Sequence, residues 1–175
     1  MALASLAIIL ASCSAEPATP GGGVEMAAGT TGLIADLGGI SRGPVHTEKK
    51  GGTLALSGFD AVSYFSGAPP VRGSSDYRVR YQGFDYLFAN TGNAVEFQNN
   101  PLKYAPQYGG YCAWAIASND ALAPADPRIY RIAGGKLYLL SSKHGTRRWQ
   151  ADIPGFVAKG NRNYLLHDAD EHYTS

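Results

Sequence analysis

The sequence predicts a small single α+β domain made of two β-hairpins and several short helices. Three observations carry that prediction. Two segments alternate apolar and polar residues around tight turns, capping residues and prolines open helical segments between them, and no regular βαβ unit or internal repeat is present. All 19 aromatic residues of the 175-residue chain fall between Phe59 and Tyr173, so the core is expected there and the domain is placed at residues 53–166.

Taken in order, Phe59 to Phe65 has apolar residues at helix-compatible spacing. Tyr77, Val79 and Tyr81 share one face of a strand, and Phe84, Tyr86 and Phe88 share a face of the next. A turn at Gln82 and Gly83 sets Tyr81 opposite Phe84, Val79 opposite Tyr86 and Tyr77 opposite Phe88, which makes one apolar surface. Ala94, Val95 and Phe97 follow a cap at Asn90 or Thr91, and Pro101 reads as a first-turn proline after Asn100. The second hairpin runs from Ile129 to Ala133, turns at Gly134 and Gly135, and returns through Lys136 to Leu140. Ser141 or Ser142 caps a helix carrying Trp149, and Pro154 opens another with Phe156, Val157, Tyr164 and Leu165.

The first third of the chain reads differently. Residues 1–12 form an apolar stretch too short to span a bilayer and end in a small-residue processing pattern, so they are assigned as a signal peptide. Leu10, Ala11, Ser12, Cys13 is similar to the bacterial lipobox, in which the cysteine is acylated, although no Lys or Arg precedes Cys13. Ten of the 22 glycines lie between Gly21 and Gly52, and residues 13–52 are read as a flexible, lipid-anchored tether. Leu33, Ile34 and Leu37 are its one apolar cluster and are expected to stay mobile. Residues 167–175 are read as a polar C-terminal tail. The expected location is the periplasmic side of a bacterial cell envelope, with the membrane as partner through Cys13.

Charges nearly cancel, at 15 Lys and Arg against 14 Asp and Glu, which gives no electrostatic footprint for nucleic acid. No phosphate loop, His-Glu-x-x-His pair or Gly-x-Ser-x-Gly elbow is present. Asp60, Asp85, Glu96, Asp126 and Asp152 are dispersed. His144 sits among Lys143, Arg147 and Arg148, and His167 and His172 lie in an acidic segment, where solvated surface and a charged tail are the ordinary readings.

The chemistry-bearing stretch runs from Tyr108 through Gly109, Gly110, Tyr111 and Cys112 to Trp114. If Cys13 is acylated, Cys112 has no intramolecular disulfide partner. Placed in the first turn of a helix, Cys112 would meet unpaired N–H groups that favour a reachable thiolate, and the glycines would let a ligand or another backbone approach. The competing reading makes Cys112 an inert core residue under Tyr111 and Trp114. Tyr108, Tyr111 and Trp114 are candidates for stacking a flat ligand, with core packing as the alternative.

The order Gly58-Phe-Asp-Ala-Val-Ser-Tyr-Phe65, then Tyr81-Gln-Gly83, Phe88, Phe97, Pro101, Tyr104 and Pro106 to Ala113, resembles the YHS domain family. The likeness continues through Asp126-Pro127, Gly135 to Leu139, Trp149 and Asp152. It is narrowest with a secreted bacterial branch bearing a Tyr-Gly-Gly-Tyr-Cys block, some members of which carry selenocysteine there. The resemblance implies a YHS-like fold and, through the metal-handling members, a soft-metal site with copper as the type of ion; Cys112, the one thiol of the domain, is this chain's candidate metal ligand. This chain departs from the metal-handling members in having no cysteine from Phe88 to Asn93, so a closed thiolate cage is not available. The expected function is a small-ligand or soft-metal binding module centred on Cys112, with Tyr108, Gly109, Gly110, Tyr111 and Trp114 around it. The alternatives are a redox enzyme using Cys112 as its catalytic thiol, and a structural interaction domain.

Overall fold

The computed structural model describes residues 32–39 and 41–173. The signal peptide and Cys13 lie outside the described residues. Among the described residues no helix is long and apolar enough to cross a membrane.

The α+β class is observed. A three-stranded sheet has the order β1 (Leu33–Asp36), β2 (Ser74–Tyr81), β3 (Phe84–Phe88), and β4 (Asp126–Ala133) pairs with β5 (Lys136–Leu140) in a separate hairpin. Helices α1 (Thr91–Asn99), α2 (Pro101–Tyr104) and α3 (Ala113–Asn119) lie between the sheets in sequence, and α4 (Lys143–Gln150) and α5 (Ile153–Tyr164) close the chain.

The turn of the first hairpin forms as its sequence requires. Gln82 and Gly83 both take positive φ, at 52° and 85°, the pattern that matches the twist of the flanking strands. Tyr81 faces Phe84 and Val79 faces Tyr86, but Phe88 pairs with Ser74 and not with Tyr77, because β2 carries an irregularity between Ser74 and Arg78. Gly73 explains the draw: a Cβ there would stand 2.3 Å from the carbonyl carbon of Leu87, so only glycine lets the two backbones approach. Arg80 grips Asp85 across the ladder with two bonds of 3.0 and 2.9 Å, and Thr53 donates to the same carboxylate at 2.8 Å. The second hairpin keeps its expected register, Ala133 opposite Lys136, and extends back to Asp126 through another irregularity.

Helix caps fall where side-chain chemistry puts them. Asn90 accepts from the Asn93 N–H, Ser142 from Gly145 and Asp152 from Gly155. Pro101 opens α2, and Pro154 lies in the first turn of α5.

The segment from Phe59 to Phe65 is not the helix its spacing predicts. Phe59 bridges to Arg72, and only Ser63–Phe65 forms a 3₁₀ turn. The cause is Asp60, whose Oδ1 takes the Val62 and Ser63 N–H groups at 2.8 and 3.2 Å, a local turn that competes with helix. Its Oδ2 accepts from Ala89 N at 2.9 Å and Asn93 Nδ2 at 2.6 Å, so one fully buried carboxylate ties this turn to the end of β3 and the start of α1.

The tether boundary at residue 52 is also corrected. Leu33–Asp36 is a strand paired parallel to β2, and Ile34, Ala35 and Leu37 pack against the core. Glycine-rich composition does not prevent this pairing, because the open edge of β2 supplies the backbone partners that the segment lacks by itself. Further on, Gly43, Pro44, Val45 and Thr47 are buried. This stretch, residues 41–47, is called the strap below. The C-terminal segment likewise docks: His172 Nε2 lies 2.9 Å from the Thr47 carbonyl.

Two apolar clusters fill the interior. One gathers Phe59, Tyr64, Val79, Tyr86, Phe88 and Phe97 beneath the three-stranded sheet. The other gathers Tyr111, Ile116, Tyr138, Leu140 and Trp149 among α3, β5 and α4.

Candidate functional site

The Tyr-Gly-Gly-Tyr-Cys block divides into a part that faces a groove and a part that is core. Residues Gln107–Gly110 form a kinked 3₁₀ turn in which Tyr108 and Gly109 take φ of 56° and 58°. At Gly109 the approaching backbone is the strap, not a ligand. A Cβ on Gly109 would stand 2.0 Å from the Pro44 carbonyl oxygen, and the His46 N–H donates to the Gly109 carbonyl at 2.9 Å. Tyr164 Oη donates to the Pro44 carbonyl at 2.8 Å, pinning the strap from α5. Tyr108 Oη reaches Val157 O at 3.2 Å and Asn161 Oδ1 at 3.1 Å, and Gly160 makes room for its ring, since a Cβ there would lie 2.6 Å from that hydroxyl.

Between the strap, the β2–β3 turn, the Gln107–Gly110 turn and the end of α5 lies an open groove of about 610 Å³. Four tyrosines, Tyr81, Tyr86, Tyr108 and Tyr164, line it with Arg42 and the amides of Gln82, Gln107 and Asn161. Burial pushes all four phenols above their ordinary range, so they stay neutral and serve as hydrogen-bond donors and apolar faces. Tyr86 is only 4% exposed, yet its hydroxyl has no hydrogen-bond partner among the described residues. Leu102 and Leu165, 70% and 63% exposed, form apolar lips. The size is that of a small-molecule site.

Cys112 is elsewhere. It is the residue before α3 and not part of its first turn, its side chain makes no capping bond to the helix, and it is fully buried. Its N–H donates to Ala123 O at 2.9 Å, and its sulfur lies 3.4 Å from Ser141 Oγ. That contact brings the start of α4 to the thiol, as the basic residues there would require for any influence, but the expected reagent access is closed. The thiol is enclosed in the interior and makes no hydrogen bond with the first N–H groups of the helix. Gly110 and Tyr111 are buried as well. Trp114 packs edge-on against His144 with ring centres 6.2 Å apart, outside the groove. Of the expected site, Tyr108 and Gly109 line the groove, and Gly110, Tyr111, Cys112 and Trp114 do not.

The metal reading gains no donor set. Among the described residues, no three His, Cys, Asp or Glu side chains converge as ligands. The histidines instead hold the chain ends. Both ring nitrogens of His172 face carbonyls, Thr47 O and Tyr173 O at 2.9 Å each, and both contacts are hydrogen bonds only in the imidazolium form. His46 stacks on His172 at 6.3 Å and meets Tyr111 edge-on at 5.2 Å. Burial holds its pKa down, the His172 charge adds to that, and Glu48 opposes it. His167 sits between Glu171, whose carboxylate lies 3.0 Å from Nδ1, and Asp120, whose carboxylate lies 3.3 Å from Nε2 without hydrogen-bond alignment.

Reading along the sequence missed Arg42, Tyr81, Gln82, Tyr86, Asn161 and Tyr164 as site residues. Tyr81, Gln82 and Tyr86 left a trace as members of a recognised hairpin and Tyr164 as part of a recognised helix, while Arg42 and Asn161 left none. The chain has no match among family models, curated proteins or solved structures.

Proposed function

We propose that the protein is a small-ligand binding module of the bacterial cell envelope, anchored through an acylated Cys13, whose ligand occupies the strap groove and not the surroundings of Cys112. The observation that carries this reading is the groove itself, about 610 Å³ walled by neutral phenols and side-chain amides. Most of a small ligand's binding comes from such concave apolar surface with a few convergent polar groups. The YHS resemblance supports a binding domain, and the lipobox-like Leu10 to Cys13 supports the compartment. The thiol-enzyme alternative loses ground because Cys112 is buried, with Ser141 as the polar side chain on its sulfur.

The test is equilibrium binding of the neutral fluorophore N-phenyl-1-naphthylamine to the unacylated Cys13→Ser chain. Saturable 1:1 binding, abolished by Ala105→Trp, which fills the groove wall, is expected. Binding that Ala105→Trp leaves unchanged contradicts the assignment.

A further inference from the structure

We infer that the groove selects an aromatic anion, a flat ring system bearing one negative charge as a carboxylate, sulfonate or phosphate ester. The inference rests on the groove being the ligand site and adds the class of ligand.

Charge is the first argument. Arg42 is the one charged side chain on the groove wall among the described residues, no acidic side chain lines the wall beside it, and Arg42 has no ion-pair partner among those residues. A guanidinium at the mouth of a low-dielectric cleft concentrates anions and binds their oxygens through paired N–H groups. The neutral groups add to the same preference. Asn161 has its Oδ1 engaged by Tyr108, which leaves its amide N–H groups as donors. Tyr86 presents a hydroxyl with no internal partner, and burial keeps that phenol protonated and able to donate. A groove whose free polar groups are mainly donors, with one fixed positive charge, favours a ligand rich in acceptor oxygens.

The second argument is shape. Tyr81 and Tyr86 have ring centres 6.3 Å apart, and Tyr108 and Tyr164 5.6 Å apart, each pair tilted by more than 50°. These rings, with the lips Leu102 and Leu165, offer faces and edges to one or two fused rings. A cation at one end and aromatic walls along the rest match an aromatic anion better than a sugar, which would leave the apolar lips wet, or a fatty acid, which would not use the ring faces.

Arg42 belongs to the strap, so the anion contact depends on the strap being docked through Gly109 and Tyr164. The charged end of the ligand and the fold of residues 41–47 are thereby coupled.

Two dyes of similar aromatic frame separate the claims. 8-Anilino-1-naphthalenesulfonate carries one sulfonate, and N-phenyl-1-naphthylamine carries none. With the Cys13→Ser chain showing native near-ultraviolet circular dichroism, the sulfonate is expected to bind 1:1 and about tenfold more tightly than the amine, the worth of one charge-assisted hydrogen bond. Arg42→Gln should remove that advantage by weakening the sulfonate about tenfold more than the amine, and added salt should weaken the sulfonate more than the amine. Equal affinities, or an Arg42→Gln effect shared by both dyes, overturn anion selection while the groove stands. If neither dye binds saturably, or Ala105→Trp changes nothing, the groove reading itself falls.

Discussion

Replacing Gly109 by alanine drives a methyl group into the strap. At φ of 58° the residue lies in the left-handed region, which costs an L-residue about 1–2 kcal/mol. The new Cβ would lie 2.0 Å from the Pro44 carbonyl oxygen and 2.8 Å from the Val45 Cα, both backbone atoms, so the strap must move. Lifting it breaks the His46 to Gly109 and Tyr164 to Pro44 hydrogen bonds, about 1 kcal/mol each. It also exposes Val45, now 8% exposed, for about 1.5 kcal/mol more. Alanine restricts the unfolded chain and offsets up to about 1 kcal/mol. The net expectation is a loss of about 4 kcal/mol in urea unfolding, together with new trypsin cleavage at Arg42 in the native protein. A loss under about 1.5 kcal/mol with Arg42 still protected would refute the claim that this glycine exists to admit the strap.

Three more outcomes rest on the geometry of the fold, and a fourth rests on the lipobox-like Leu10 to Cys13 sequence. Asp60→Ala removes the buried acceptor shared by four donors, Val62 N, Ser63 N, Ala89 N and Asn93 Nδ2, and should cost about 3 kcal/mol; a change in melting temperature within error would show the buried carboxylate to be dispensable. His46 is half-buried with its pKa held below the ordinary value near 6.5, so the unfolded chain takes up a proton before the folded one does. Its contribution to stability is therefore complete above about pH 6.5 and declines as pH falls below it, and His46→Gln should flatten that slope in denaturation curves recorded at pH 7.5 and 5; parallel slopes would contradict this. Iodoacetamide should modify Cys112 in the Cys13→Ser chain at least about 100-fold more slowly than a free thiol, because reaction waits on local opening, whereas modification at the free-thiol rate would restore the accessible-thiol reading. Cys13→Ser should move the protein from the membrane to the soluble fraction, and unchanged fractionation would remove the anchor from the account.

Much of the fold was legible because it is written in local patterns. Alternation through Tyr81 and Phe84 set the first hairpin, the Gly134-Gly135 turn set the second, Asn90 and Ser142 carry side chains that cap helices, and Pro154 marks the first turn of another. What was not legible depends on partners far away in the chain. The register slip in β2 accompanies the close approach of Gly73 to Leu87, and the Asp60 carboxylate that forms the local turn after Phe59 is held by donors far along the chain, at Ala89 and Asn93. The strap looked like linker by composition, yet Gly43 and Gly109 are glycines because rings and backbone pass close by, at Tyr164 and Pro44. The block around Cys112 stands out in the sequence through its unusual residues, and the structure divides it. Tyr108 and Gly109 border the groove, while Cys112 is held in the interior by the same turn that bends the chain toward it.

The central claim is that ligand enters the strap groove and leaves the thiol untouched. Amide chemical-shift mapping of the isotopically labelled Cys13→Ser chain, titrated with 8-anilino-1-naphthalenesulfonate, tests it most directly. Shifts are expected to gather at Arg42, Gly43, Gln82, Tyr108, Gly109 and Asn161, with Cys112, Trp114 and Ser141 unmoved. Shifts centred on Cys112, Trp114 and Ser141 would contradict it.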